Sequence, residues 1–183
     1  SLSVERTERL IEATLRTVID AAPRVLRKSD DGDAWAELMW SGTIAHNNLL
    51  NTGRVGDWGS HDLEHELSAA YDIAHGAGLA VVFPAWMKYV YKHDLARFAQ
   101  IANRVWGVDN AFMDTDRAAL EGIRRLEAFW QSIGLATKLS GLGIGPERIN
   151  EMADKLSSKG AKAVGNFVKV GKAEAERIYA LAL

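Results

Sequence analysis

Apolar residues recur three and four positions apart along most of this chain, and nowhere does a run of alternating β-branched residues appear. That period confines the sequence to helices packed on helices. From Val4 to Ile19, the residues Leu10, Ile11, Leu15, Val18 and Ile19 predict a helix with a stripe facing a core, and Pro23 is expected to interrupt it. Asp31-Gly32-Asp33 supplies a turn and an N-cap for a second helix through Trp35, Leu38, Met39 and Ile44 toward Leu49 and Leu50, ended by Gly53. Asp57 or Ser60 can cap a third helix through His61, Leu63, His65 and Leu67, which should give out between Tyr71 and Gly78, where two glycines sit close together. A fourth apolar stretch runs from Leu79 to Tyr91, with Pro84 marking a start or a kink. Asp94 opens a helix to Trp106, and Asp114 opens a longer one carrying Ala119, Ile123, Leu126, Phe129, Trp130 and Ile133, stopped by Gly134. After a Ser/Gly-rich loop over Thr137–Gly145, Pro146 should begin a helix to about Ser157, and a last helix is expected over Lys172–Leu183. The fold class is all-α, a single helical domain of roughly seven to nine helices spanning residues 1–183, without internal repeats.

Composition narrows the chemistry. The formal charge is −2 and the lysines and arginines are scattered, so nucleic acid is not an expected partner. There is no cysteine, hence no disulfide framework and no thiolate metal cluster; a metal would have to be held by His, Asp, Glu, backbone or water. No apolar run approaches the ~20 residues that span a bilayer, and the opening Ser1-Leu2-Ser3-Val4-Glu5-Arg6 lacks a signal-peptide core. The expectation is a cytoplasmic protein that does not enter the membrane.

Three of the five histidines fall within fifteen residues, at His61, His65 and His75. At about 100° per residue, His65 lies about 40° round from His61, and on an uninterrupted helix His75 would return to within about 40° on the other side. All three could then face one cleft, which is what two imidazole ligands from one element require. The pair His61 and His65 resembles the zinc-protease helix, but Glu64 stands beside the second histidine where that motif needs its glutamate beside the first, which argues against a protease. Spacing alone leaves a structural role open, because histidines one turn apart on an amphipathic helix are commonly satisfied by neighbours.

The run from Gly53 through Gly56-Asp57-Trp58-Gly59-Ser60-His61-Asp62-Leu63-Glu64-His65 to His75-Gly76-Ala77-Gly78-Leu79-Ala80 resembles the metal-site region of iron-containing alcohol dehydrogenases, in their butanol-dehydrogenase-like branch. Outlying segments agree: Ala45-His46-Asn47, Pro84-Ala85-Trp86-Met87, Leu135-Ala136-Thr137-Lys138-Leu139-Ser140, Gly141-Leu142-Gly143-Ile144 and Gly165-Asn166-Phe167-Val168-Lys169. The fourteen-residue step from His61 to His75 is the most specific element. The resemblance implies the helical half of a dehydroquinate synthase-like fold. It implies Fe2+, or alternatively Zn2+, on His61 and His75, together with an aspartate and a further histidine expected upstream of Ser1. His65 corresponds to a histidine beside substrate and nicotinamide that assists proton movement. NAD(P)H would be bound mainly by an N-terminal α/β nucleotide-binding domain that this chain lacks. The reading is therefore a fragment of a homodimeric enzyme acting on primary alcohols and aldehydes, inactive alone.

Other residues carry less. Trp58, Trp86 and Tyr71 are candidates for an alcohol pocket but are expected in the core. His46 and His93 are expected at the surface or at caps, and Asp72 either orients an imidazole or caps a turn. Gly141, Gly143 and Gly145 belong to a loop, since no strand precedes them and the glycine spacing does not match a dinucleotide-binding turn. Two rival readings remain: an all-α metal phosphohydrolase of the HD type using the His61-Asp62 and His93-Asp94 pairs, and a non-catalytic structural domain.

Overall fold

The computed structural model describes residues 4–109 and 113–183, so the first three residues of the opening segment lie outside it. Among the described residues there are eight α-helices and no strand beyond one isolated antiparallel bridge between Val164 and Val170. They are α1 Glu5–Arg27, α2 Gly32–His46, α3 Gly59–Tyr71, α4 His75–Val90, α5 Leu95–Arg104, α6 Thr115–Ser132, α7 Ile149–Leu156 and α8 Lys172–Ala182.

The expected caps form where a short acceptor precedes a helix. Asp31, Asp94 and Asp114 accept from the backbone amides of Ala34, Arg97 and Arg117 at 3.0, 3.1 and 2.8 Å. Pro23, expected to interrupt a helix, lies inside α1 instead, and Pro84 lies within α4 and not at its start. Pro84 is buried, so packing of the whole element outweighs the lost backbone donor. The second helix stops at His46, short of the expected Leu49, because Asn48 turns left-handed at φ 65. Pro146 does not start α7: its carbonyl accepts from the Ile149 amide at 3.1 Å, and the helix begins at Ile149.

Helix α4 is the axis of the main core and packs against α3, α6 and α8. It buries Ala80, Val81, Val82, Ala85, Trp86, Met87 and Val90, an apolar surface that goes round most of the helix, as befits a central element. Around it stand Leu63 and Leu67 of α3, Ile123 of α6, Met152 of α7, and Ile178 and Tyr179 of α8. The Tyr179 hydroxyl donates to the Leu63 carbonyl at 2.7 Å, tying α8 to the helix that carries His61 and His65. Burial raises the Tyr179 phenol above its ordinary range. Helices α5 and α6 approach closely because Gly122 faces Ala102; a Cβ at Gly122 would lie 2.6 Å from the Ala102 Cβ.

Helix α1 departs from the expected inward apolar stripe. Leu10 and Leu15 are each 41% exposed, whereas Thr7, Glu8 and Glu12 are buried. The side facing α5 is acidic: Glu8 accepts from Arg97 and Gln100 at 3.3 and 3.0 Å, and Glu12 from Gln100 and Arg104 at 3.0 and 3.2 Å. α1 and α2 share a separate small core of Ala21, Val25, Ala34 and Leu38, so this hairpin joins the rest of the domain largely through polar contacts. None of the described helices is long and apolar enough to cross a membrane.

Candidate metal centre

The segment before α3 fixes where the first histidine enters. Neither Asp57 nor Ser60 caps the helix; Trp58 occupies the N-cap without a side-chain bond. Asp57 instead joins two loops. Its carboxylate accepts from the Gly59 amide at 3.3 Å, from the Phe167 amide at 3.0 Å, and from the Asn166 amide. Phe167 packs in turn on Trp86 and His93. The start of α3 is thus anchored to the 165–168 loop, and two residues into the helix His61 projects toward the α4 N-terminus.

The third helix does not continue to His75. It ends at Tyr71, with Asp72 left-handed at φ 52 and its amide donating to the Ser68 carbonyl at 2.8 Å. Asp72 is therefore a turn cap, the plainer of its two expected roles. Gly76 and Gly78 do not break a helix; they lie in the opening turns of α4, whose first residue is His75. The reversal after Asp72 brings His75 back beside α3. Ring centroids are 5.4 Å apart for His61 and His75, 5.3 Å for His65 and His75, and 6.4 Å for His61 and His65.

These spacings suit a shared ion. With metal–nitrogen bonds of about 2.1 Å, two imidazoles on one tetrahedral centre have centroids about 5 Å apart. Both pairs containing His75 meet that condition. The Nδ1 of His61 is buried without a hydrogen-bond partner among the described residues, a nitrogen for which a metal, or a ligand of the other half of a site, would be a fitting neighbour. Burial first, and then the nearby His75 and His65, lower the pKa of His61 below its ordinary 6.5 and favour the neutral, ligating form. The exposed Trp58 stands edge-on to His61 at 5.0 Å.

One functional candidate received no role from the sequence. Glu64 is fully buried on α3, and its carboxylate accepts from the Ser68 hydroxyl and contacts Nδ1 of His75. Ligand atoms of Glu64, His65 and His75 lie within 4.8 Å of one another. The only sequence cue was a carboxylate between two histidines. Its inward aim depends on the turn at Asp72, which periodicity does not reveal.

Of the aromatic candidates, Trp86 is core as expected, Tyr71 is half-buried under the Arg148 guanidinium at 5.2 Å, and Trp58 is 56% exposed instead of buried. His46 is exposed in the last turn of α2, and His93 is exposed against Phe167 at 4.8 Å. Asp94, engaged as a cap, is not free to serve the phosphohydrolase reading. Gly143 turns left-handed at φ 71 just after a short 3-10 turn over Leu139–Leu142, a loop as expected.

A family model for the C-terminal part of Fe-containing alcohol dehydrogenases matches residues 3–183. The chain belongs to the Fe-containing alcohol dehydrogenase family. The probable NADH-dependent butanol dehydrogenase 1 of Bacillus subtilis is 39% identical over 165 residues, which are 90% of this chain and 42% of that protein. Among solved structures, the NADH-dependent butanol dehydrogenase A of Thermotoga maritima superposes with a TM-score of 0.91 at 36% identity, over 98% of this chain and 46% of that one. The aldehyde reductase YqhD of Escherichia coli gives 0.94 at 29%, over all of this chain and 48% of that one. This Fe-containing alcohol dehydrogenase chain therefore spans less than half the length of these relatives, and its all-helical fold is that of their C-terminal portion.

Proposed function

We propose that this chain is the metal-binding half of an enzyme that interconverts primary alcohols and aldehydes with NAD(P)H. In this reading, an N-terminal α/β domain outside the chain holds most of the nucleotide, and the assembled enzyme is a cytoplasmic homodimer. The observation that carries the reading is the convergence of His61 and His75 at 5.4 Å between ring centroids, inside a chain of this family. His61 and His75 would hold iron(II) or zinc, with the remaining ligands from the other half. An ion held there would supply Lewis acidity toward an alcohol oxygen, and a nicotinamide brought by the other half would supply the hydride acceptor.

What this chain contributes follows from its own side chains. His61, kept neutral by burial, offers a lone pair without first having to lose a proton. His65 is exposed one turn further along α3. Alcohol oxidation releases one proton along with the hydride, and in this reading His65 takes it up and passes it to solvent. Trp58 packs T-shaped beside the His61 ring.

The test compares the 183-residue chain with the full-length protein. The expected result is tight metal binding and NAD(P)-dependent alcohol oxidation in the full-length protein, and neither in the chain alone. His61→Ala and His75→Ala should each strip the full-length protein of its metal. Retention of stoichiometric metal by both variants would leave a structural domain as the better reading.

A further inference from the structure

Glu64 is the least expected group near the histidines, because a carboxylate with no solvent exposure needs partners for both oxygens. It has them. One oxygen accepts from the Ser68 hydroxyl a turn along the same helix, and the other meets Nδ1 of His75 on the next helix. Room for the carboxylate comes from Gly78, since a Cβ there would lie 2.9 Å from both Cγ and Cδ of Glu64. The carboxylate therefore spans the α3–α4 junction, one oxygen engaged by a hydroxyl and the other by an imidazole nitrogen.

We infer that Glu64 is a positioning residue that fixes the ring and tautomer of His75, with Ser68 locking the carboxylate, and that Glu64 is not itself a ligand. The carboxylate oxygen accepts, so the proton of His75 sits on Nδ1 and the lone pair on Nε2. A metal-binding imidazole needs its other nitrogen held in this way to present one face and one tautomer. Without the carboxylate the exposed ring of His75, on the first residue of a helix after a three-residue turn, has no other hydrogen-bond partner among the described contacts to select its tautomer. The inference rests on the proposed metal role of His75. It adds a division of labour that spacing alone does not give, because Glu64, His65 and His75 are close enough to be mistaken for a three-ligand set.

The experiment uses the full-length protein, metal-stripped and titrated with Co2+ against a chelator, following both affinity and the visible ligand-field bands. Glu64→Ala should weaken Co2+ binding by about 10–100-fold while leaving the band positions and intensities of the saturated protein unchanged. Glu64→Gln keeps an oxygen that can accept from Nδ1 and should recover most of the affinity. Ser68→Ala, which removes no buried charge, should show a smaller loss in the same direction and keeps the test decisive if Glu64→Ala does not fold. Altered bands at saturation in Glu64→Ala would make Glu64 a ligand and overturn the inference. Unchanged affinity in both Glu64→Ala and Ser68→Ala would overturn it as well. Absence of Co2+ binding by the wild-type protein would instead sink the metal reading on which it rests.

Discussion

Gly78→Ala should destabilise the protein although it places a better helix former in a helix. Replacing glycine in a helix interior ordinarily gains about 1 kcal/mol. At this position the added methyl meets the Glu64 carboxylate, with Cγ and Cδ both at 2.9 Å, and Glu64 has no solvent to retreat into. Overpacking costs about 1–3 kcal/mol, and displacing a buried carboxylate from its donors costs about 1.5–3 kcal/mol more. The net loss is about 3 kcal/mol, a fall of roughly 6–12 °C in Tm for a chain of this size. Gly76, two residues earlier in α4, is the internal control, because a Cβ there meets nothing within 4 Å. Gly76→Ala should hold or raise the Tm. The assay is thermal unfolding followed by circular dichroism on metal-stripped proteins, so that ion binding does not contribute. Two further proteins, Glu64→Ala and the Glu64→Ala, Gly78→Ala double variant, close the cycle: in the Glu64→Ala background, Gly78→Ala should cost at least about 1 kcal/mol less than in the wild type, since the carboxylate it strikes is gone. Equal costs in the two backgrounds, or a Gly78→Ala variant as stable as Gly76→Ala, would refute the reasoning.

Tyr179→Phe removes the 2.7 Å bond to the Leu63 carbonyl without changing the packed ring, and should cost about 1 kcal/mol in denaturant unfolding with an unchanged m-value. Gly122→Ala drives a methyl to 2.9 Å from the Ala102 Cα, so α5 and α6 must separate; a loss of about 1–3 kcal/mol is expected from the same measurement. Glu121 is held at about 2, against an ordinary 4.5, by hydrogen bonds from Arg124 and then Arg125. A lowered folded-state pKa means that its contribution is present above about pH 4.5 and is lost as the pH falls toward about 2, so Glu121→Gln should flatten the acid side of the stability profile in that window. In the metal-free protein the His61 ring should titrate below 6.5, because burial and its two histidine neighbours disfavour the cation; an imidazole NMR titration reading at or above 6.5 would contradict that environment.

The same side chains explain how far residue spacing alone could go. His61 and His65 stand one turn apart, and a 3.6-residue period is enough to put them on one side of α3. On an unbroken helix the same period would also bring His75 round, but the physical route to it is a reversal after α3. Asp72 adopts a left-handed conformation, which aspartate tolerates through local hydrogen bonding but which no pattern of apolar residues announces. Gly76 and Gly78 read as helix breakers because sequence carries their cost and not their neighbour; Gly78 is required by the carboxylate of Glu64, a residue on another helix. Pro23 misleads for the same reason, local cost being visible and tertiary compensation not. On α1 the period was right and the inward direction wrong, because Glu8 and Glu12 are drawn inward by Arg97, Gln100 and Arg104, about ninety positions away in the chain. What local spacing leaves undetermined is how one helix meets another, and the candidate centre lies at such a meeting, where α3 turns back into α4. A change at that turn that leaves all three histidines intact, such as Asp72→Pro, should therefore disturb the centre as much as loss of a histidine does, with metal retention as the readout. Full metal retention by that variant would mean that the histidines converge for a reason other than the turn.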